Sequence, residues 1–134
     1  VVDFKLTYET LKWPVFEGHD GARVYFEGVV RPMNKGKEVL RLEFEAYEPM
    51  AISELRIIAN EIINTWPDVN HIYLHHRLGI VPAGELAVVA AIASPHRAEA
   101  FAACEYLMNR LKESVPIWKK ECYSDGYYWV SSTP

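Results

Sequence analysis

The residues with chemistry to offer in this chain are cations, and they are grouped. LKESVPIWKKE, residues 111–121, sets Lys112, Lys119 and Lys120 among Leu111, Val115, Ile117 and Trp118. SPHRAEAF, residues 94–101, carries His96 and Arg97, and GVVR, residues 28–31, ends in Arg31. An ammonium group among apolar neighbours loses hydration, so its pKa falls and it can act as a base or nucleophile. On a strand, Lys119 shares a face with Ile117, Glu121 and Tyr123, and Lys120 shares one with Trp118 and Cys122, so one of the two lysines must lie on the more buried side. His96 and Arg97 in the first turn of a helix join free backbone N–H groups in an anion site suited to phosphate. Each residue also has a plainer role open to it. Lys112 in a last helical turn complements the macrodipole. Lys119 and Lys120 can be the solvated face of a hairpin, Arg97 can pair with a nearby carboxylate, His96 can be merely exposed, and Arg31 can be a surface arginine.

These residues need elements to hold them. Alternation and β-branched content predict strands over 4–9, 23–31, 38–47, 71–79 and 85–94. In 38–47 the strict alternation puts Leu40, Leu42, Phe44 and Ala46 on one face, in a strand antiparallel to its predecessor. RPMNKGKE, 31–38, reads as a loop with Lys35 and Lys37 solvated. The apolar stripe of 49–66, with Leu55, Ile58, Ala59, Ile62, Ile63 and Trp66, predicts a helix ended by Pro67. A second helix is expected over 94–114, with Ser94 as N-cap, Pro95 as first residue, and Phe101, Cys104, Met108 and Leu111 as its apolar face. IWKKECY and YYWVS flank Ser124-Asp125-Gly126, a hairpin signal. The sum is an α+β fold, one domain over 1–134, with two main helices on a mixed or antiparallel sheet and a C-terminal β-hairpin.

Composition narrows the function. The chain has 134 residues, half of them hydrophobic, which is enough for a real core. Its net charge of -4 gives no cationic excess for general nucleic-acid binding. No apolar run approaches the ~18–20 residues that span a bilayer, and no stretch reads as a signal peptide. Cys104 and Cys122 cannot build a disulfide framework or a four-ligand zinc site, and a reducing cytosol suits them. His75 and His76 are neighbours on a strand, point to opposite faces and cannot easily share a metal. No paired-carboxylate motif, Gly-rich phosphate loop or G-x-S-x-G elbow is present.

Taken together, GVVR (28–31), HHRLG (75–79), SPHRAEAF (94–101), LK (111–112), PIWKKE (116–121) and DGYYWV (125–130) resemble the large, catalytic subunit of molybdopterin synthase, the MoaE family, in order and over nearly the whole chain. The resemblance implies an α/β hammerhead with an added antiparallel sheet. It implies conversion of cyclic pyranopterin monophosphate (precursor Z) into the molybdopterin dithiolene of the molybdenum cofactor. Sulfur would come from a small ubiquitin-like MoaD-type partner whose C-terminal Gly-Gly carries a thiocarboxylate. The assembly implied is a cytoplasmic heterotetramer built on a homodimer of this chain, with no cofactor, metal, nucleic acid or membrane partner. Carried across residue by residue, Lys112 and Lys119 are the catalytic lysines. Val29, Val30, Arg31, His96, Arg97, Lys120 and Glu121 join them in binding substrate, Lys120 standing where some relatives have Arg. The loop after Arg31 departs from the family pattern, and no basic residue follows Val130.

One geometric consequence stands beside the resemblance. Arg97 and Lys112 are fifteen residues apart on one helix, so about 22 Å separates their Cα atoms. A pterin monophosphate is roughly half that long. If both residues matter, the pocket is composite: Arg31, Lys112 and Lys119 from one subunit, His96 and Arg97 from its mate. Two other readings are a non-catalytic receptor for a ubiquitin-like tail and an unrelated phosphate-ester enzyme using the helix N-terminus. Retention of both lysines argues against the first, and dependence on a thiocarboxylated partner would separate the second.

Overall fold

In the computed structural model, residues 1–130 are described; residues 131–134, with the last residue of the YYWVS segment and the tail, lie outside them. One sheet has the order β1 (Val2–Thr7), β5 (His71–Arg77), β7 (Leu86–Ser94), β2 (Ala22–Val29). Its β1–β5 pair is parallel and the other pairs are antiparallel. The second sheet has the order β3 (Met33–Asn34), β4 (Lys37–Ala46), β8 (Ile117–Tyr123), β9 (Gly126–Val130), with β6 (Gly79–Pro82) also on β4. Helices α1 (Glu48–Thr65) and α2 (Arg97–Ser114) complete an α+β architecture.

β7 is nearly continuous apolar because both of its faces are covered. Val88, Ala90 and Ile92 belong to the main core with the helices, whereas Val89 and Ala91 meet Tyr73, Leu11 and Phe16 on the far side. The two helices are tied by Glu61, which accepts from Tyr106 Oη at 2.7 Å and Arg110 Nε at 3.0 Å.

Several details correct the sequence reading. β2 and β4 are not partners: β2 pairs β7 in one sheet, and β4 pairs β3, β6 and β8 in the other. A register irregularity between Val39 and Arg41 breaks the alternation of β4, so Val39 is buried and Leu40 is turned outward. The segment after Arg31 is a tight hairpin: Asn34 pairs Lys37 across Lys35 and Gly36, whose positive φ values of 51° and 78° suit a two-residue hairpin turn. Lys37 is ion-paired, 3.0 Å from Asp125. β6 falls in the stretch between two expected strands, where Pro82 and Gly84 are turn signals. Ser94 closes β7 and donates from Oγ to the carbonyl of His96 at 2.7 Å. The N-cap is His96, and α2 begins at Arg97.

The buried face of α2 is Ala100, Ala103, Cys104, Leu107 and Leu111, while Phe101 is 61% exposed. Small side chains let the helix lie close to the sheet and leave the larger Phe101 at the rim. At the same end, Gly21 packs so tightly under the Pro95 carbonyl that a Cβ there has no room. In α1, Ala51, Leu55, Ile58, Ala59 and Ile62 are buried and Ile63 is outward.

Candidate functional site

The site grows from β8 and the hairpin beside it. Ile117, Lys119, Glu121 and Tyr123 alternate onto one face, and Lys119 is only 5% exposed. A hydrogen-bonded chain runs across this face. Arg31 Nη2 donates to Asn34 Oδ1 (3.4 Å), and Asn34 Nδ2 donates to Tyr123 Oη (2.9 Å). Tyr123 Oη donates to Glu121 Oε1 (3.2 Å), and Glu121 Oε2 lies 3.6 Å from Lys119 Nζ. Three elements thus supply one network: the end of β2, the β3–β4 hairpin and β8.

Burial pushes the Lys119 pKa below the ordinary lysine value; Glu121 opposes the shift, and the positive charges of Arg31 and Lys112 reinforce it. Lys112 is the basic residue in the last turn of α2 and is exposed. The chain then leaves α2 through Val115 and Pro116, whose carbonyl accepts from the Tyr47 N–H at 3.2 Å, and enters β8. The Pro116 break therefore carries the chain from the lysine at the helix end to the lysine on the strand. Lys119 itself lies in largely dry surroundings, where charge interactions are stronger than in water.

Val29 is about half exposed and Val30 is buried, its N–H donating to Glu85 O (3.0 Å) and its carbonyl accepting from Gly84 N (2.8 Å). The Val30 side chain is therefore part of the core, and its backbone anchoring sets the position of Arg31.

Lys120 is not on this face. It points to the other face of β8, 3.4 Å from Glu43 Oε1, with the rings of Tyr127 and Trp129 at 4.7 and 5.5 Å. Glu43 also accepts from Cys122 Sγ (3.3 Å) and Arg41 Nε (2.9 Å). Strand alternation separates Lys120 from Lys119, as the sequence predicts. Asn34 and Tyr123 are the site residues missed from sequence. Asn34 read as loop polarity, although its place in an N-K-G turn was a hairpin cue.

His96 and Arg97 are exposed at the start of α2, and among the described residues neither side chain has a hydrogen-bond or ion-pair partner. Within one chain they are remote from Lys112, with the length of α2 between them. His76 is fully buried, points away from His75 and sits against the Phe44 ring at 4.9 Å; burial holds its pKa at about 4. His75 faces the other side, with Nε2 2.9 Å from Asp3 Oδ1 and Nδ1 2.8 Å from Tyr73 Oη. Among the described residues no cluster of three or more His, Cys, Asp or Glu is placed to hold a metal ion.

The α+β fold thus sets a buried lysine on a strand, a second lysine at a helix end and an arginine just past a strand end. Comparison with known proteins makes this specific. The family described as MoaE protein matches residues 2–114. The molybdopterin synthase catalytic subunit of Taeniopygia guttata is 46% identical over 93% of this chain and 81% of its own length. That of Nostoc sp. is 49% identical over 84% of this chain and 68% of its own. Among solved structures, molybdopterin synthase from Staphylococcus aureus superposes with a TM-score of 0.88 at 39% identity, covering 93% of this chain and 94% of that one. A Helicobacter pylori structure of a complex of subunits 1 and 2 of molybdopterin-converting factor shares the fold, with a TM-score of 0.71 at 22% identity over 86% and 76% of the two chains. The chain belongs to the MoaE family.

Proposed function

We propose that this chain is the catalytic subunit of a molybdopterin synthase, moving sulfur from a thiocarboxylated small subunit to cyclic pyranopterin monophosphate. The observation that carries the reading is the buried Lys119, 3.6 Å from Glu121, on the face reached by the hydrogen-bonded chain from Arg31, with Lys112 at the end of the helix that leads into the same strand. Both reactants are anions, one a thiocarboxylate tail and the other a phosphate ester, and a face carrying a buried lysine with further cations at its edge suits their meeting.

The thiocarboxylate sulfur attacks an oxygen-bearing carbon of the pterin side chain; the C–S bond forms as the C–O bond breaks, the oxygen leaving with the opened cyclic phosphate, and a thioester joins tail and pterin. A second thiocarboxylate repeats the transfer at the neighbouring carbon, whose oxygen leaves as water with a proton from Lys119. Water then adds to the acyl carbon, giving a tetrahedral oxyanion. Collapse breaks the C–S bond, leaving sulfur on the pterin and the tail as a carboxylate. Lys112, exposed at the mouth, stands beside the tail and stabilises that oxyanion. Lys119, its pKa lowered, polarises the pterin side chain and transfers protons there. Glu121 holds Lys119 in place, and the Asn34–Tyr123 relay fixes Arg31 to the same frame. Arg31 from this chain, with His96 and Arg97 from a dimer mate, holds phosphate and pterin.

In this reading the whole chain works as one domain, in a cytoplasmic heterotetramer; no described helix is long and apolar enough to cross a membrane. The test is reconstitution of the purified chain with a thiocarboxylated small subunit and precursor Z. Dithiolene product that depends on the thiocarboxylate supports the proposal. Tail binding without product would leave a receptor module instead.

A further inference from the structure

Lys119 projects from the core-facing side of β8. Its alternate neighbours Ile117 and Tyr123 are core residues, and so are Leu42 and Phe44 of β4. The register of β4 on β8 sets Phe44 directly opposite Lys119 and Leu42 opposite Glu121. Directly opposed residues of an antiparallel pair share a face, with Cβ atoms roughly 4.5–5.5 Å apart, nearer than any diagonal neighbour. Phe44 is 3% exposed, and its ring meets His76 edge to face, with centroids 4.9 Å apart. His76, Ser94 and Lys119 are the buried polar or charged residues among those described, so two of the three flank one phenyl ring.

We propose that Phe44 is a positioning residue for Lys119: its ring, backed by His76, walls the lysine side chain from water and holds its ammonium against Glu121.

The wall carries no charge of its own. Burial keeps His76 neutral down to about pH 4, so it adds no like charge behind the ring. Arg41, Glu43 and Glu45 of β4 pair in register with Cys122, Lys120 and Trp118 and so occupy the far face. On β6, Gly79 stands opposite Phe44 and brings no side chain. On β9, Val130 stands opposite Lys119, and Tyr128 stands opposite Glu121. The charged groups left to act on Lys119 are Glu121, which raises its pKa, and Arg31 and Lys112, which lower it; burial is the largest influence of all. A phenyl ring directly opposite the lysine stem is the nearest source of that burial. The wall, more than any neighbouring charge, therefore sets the acid strength with which Lys119 meets substrate. This last step rests on the function proposed above, whereas the wall rests on the strand register and the ring contact.

An NMR titration of the Lys119 Nζ in the isolated chain, without substrate or small subunit, reads the wall alone. Phe44→Ala should move the Lys119 pKa toward the ordinary lysine value by about one pH unit. Phe44→Leu, which keeps an apolar side chain and protects the fold, should move it less and in the same direction. Val81→Ala empties a buried position of β6 away from this contact and should leave it unmoved. An unmoved pKa in the folded Phe44 variants, or an equal shift in Val81→Ala, overturns the wall. Single-turnover rates across pH, with thiocarboxylated small subunit and precursor Z, read the second step: the limb belonging to Lys119 should move with the titration. A pKa that moves while the rate limb stays fixed leaves the wall standing and removes Lys119 from the acid–base role.

Discussion

Lys119 and Lys120 are consecutive residues of β8 whose ammonium groups serve opposite faces. Lys119 Nζ sits buried 3.6 Å from Glu121 Oε2, and Lys120 Nζ sits 3.4 Å from Glu43 Oε1 beside two aromatic rings. Their substitutions should therefore separate. Lys119→Ala is expected to lower the rate of product formation by about 10²–10⁴-fold, the range for a lost acid–base group. Lys120→Ala should keep most of the rate and lower thermal stability modestly, by loosening β9 from Glu43. Single-turnover rates and melting curves of the two variants make the comparison.

The charge on Lys119 has a stability consequence with a definite sign. Its folded pKa is depressed, chiefly by burial. Stability from this group is full above the unfolded lysine pKa and is lost as pH falls through the folded value, so at pH 7 the buried charge is a cost. Lys119→Met should melt no lower than the parent at pH 7, and a few degrees higher if the cost is about 1 kcal/mol. Lys112→Gln should raise the Lys119 pKa by removing a like charge, which an NMR titration of the lysine Nζ would follow.

His76 sets an acid limit. Its folded pKa of about 4 lies below the usual 6.5 because it is fully buried. The neutral form is the one that fits, so its contribution is full above about 6.5 and is lost as pH falls toward 4. Over that window stability to denaturant should drop by on the order of 3 kcal/mol more than in His76→Gln, which cannot titrate. Denaturation midpoints of both chains at pH 7, 5.5 and 4.5 check this.

Arg97 and Lys112 bracket α2, and the shared-pocket reading makes them act in different sites of a dimer. Arg97→Ala and Lys112→Ala homodimers should both be inactive. A verified mixed dimer places both lesions in one site and leaves the other whole, so it should regain about half of the parent activity per dimer. No recovery in mixed dimers confirmed by mass would contradict sharing.

Much of this arrangement was legible in the chain. Period-3.6 stripes and proline stops located both helices, and the alternation of I-W-K-K-E-C-Y separated the two lysines before any coordinates. What was not legible depended on distant contacts. Nothing local says that β2 and β4 belong to different sheets, since a strand's partner is chosen by long-range pairing. The bulge that turns Leu40 outward depends on how β4 meets β8. Asn34 joined the site only because the hairpin folds back to Tyr123, eighty-nine residues away in sequence. Phe101 was misplaced because a stripe of alanines, weak in any hydropathy pattern, is what lets α2 approach the sheet.

The central claim is that the lysine at the end of α2 acts on the acyl carbon of an incoming tail rather than merely gripping the partner. Lys112→Ala, mixed with thiocarboxylated small subunit and precursor Z, tests it in one single-turnover experiment with partner affinity measured alongside. Affinity within a few-fold of the parent, with dithiolene formation abolished, is the predicted result. Weak partner binding combined with a normal rate at saturating small subunit would contradict it.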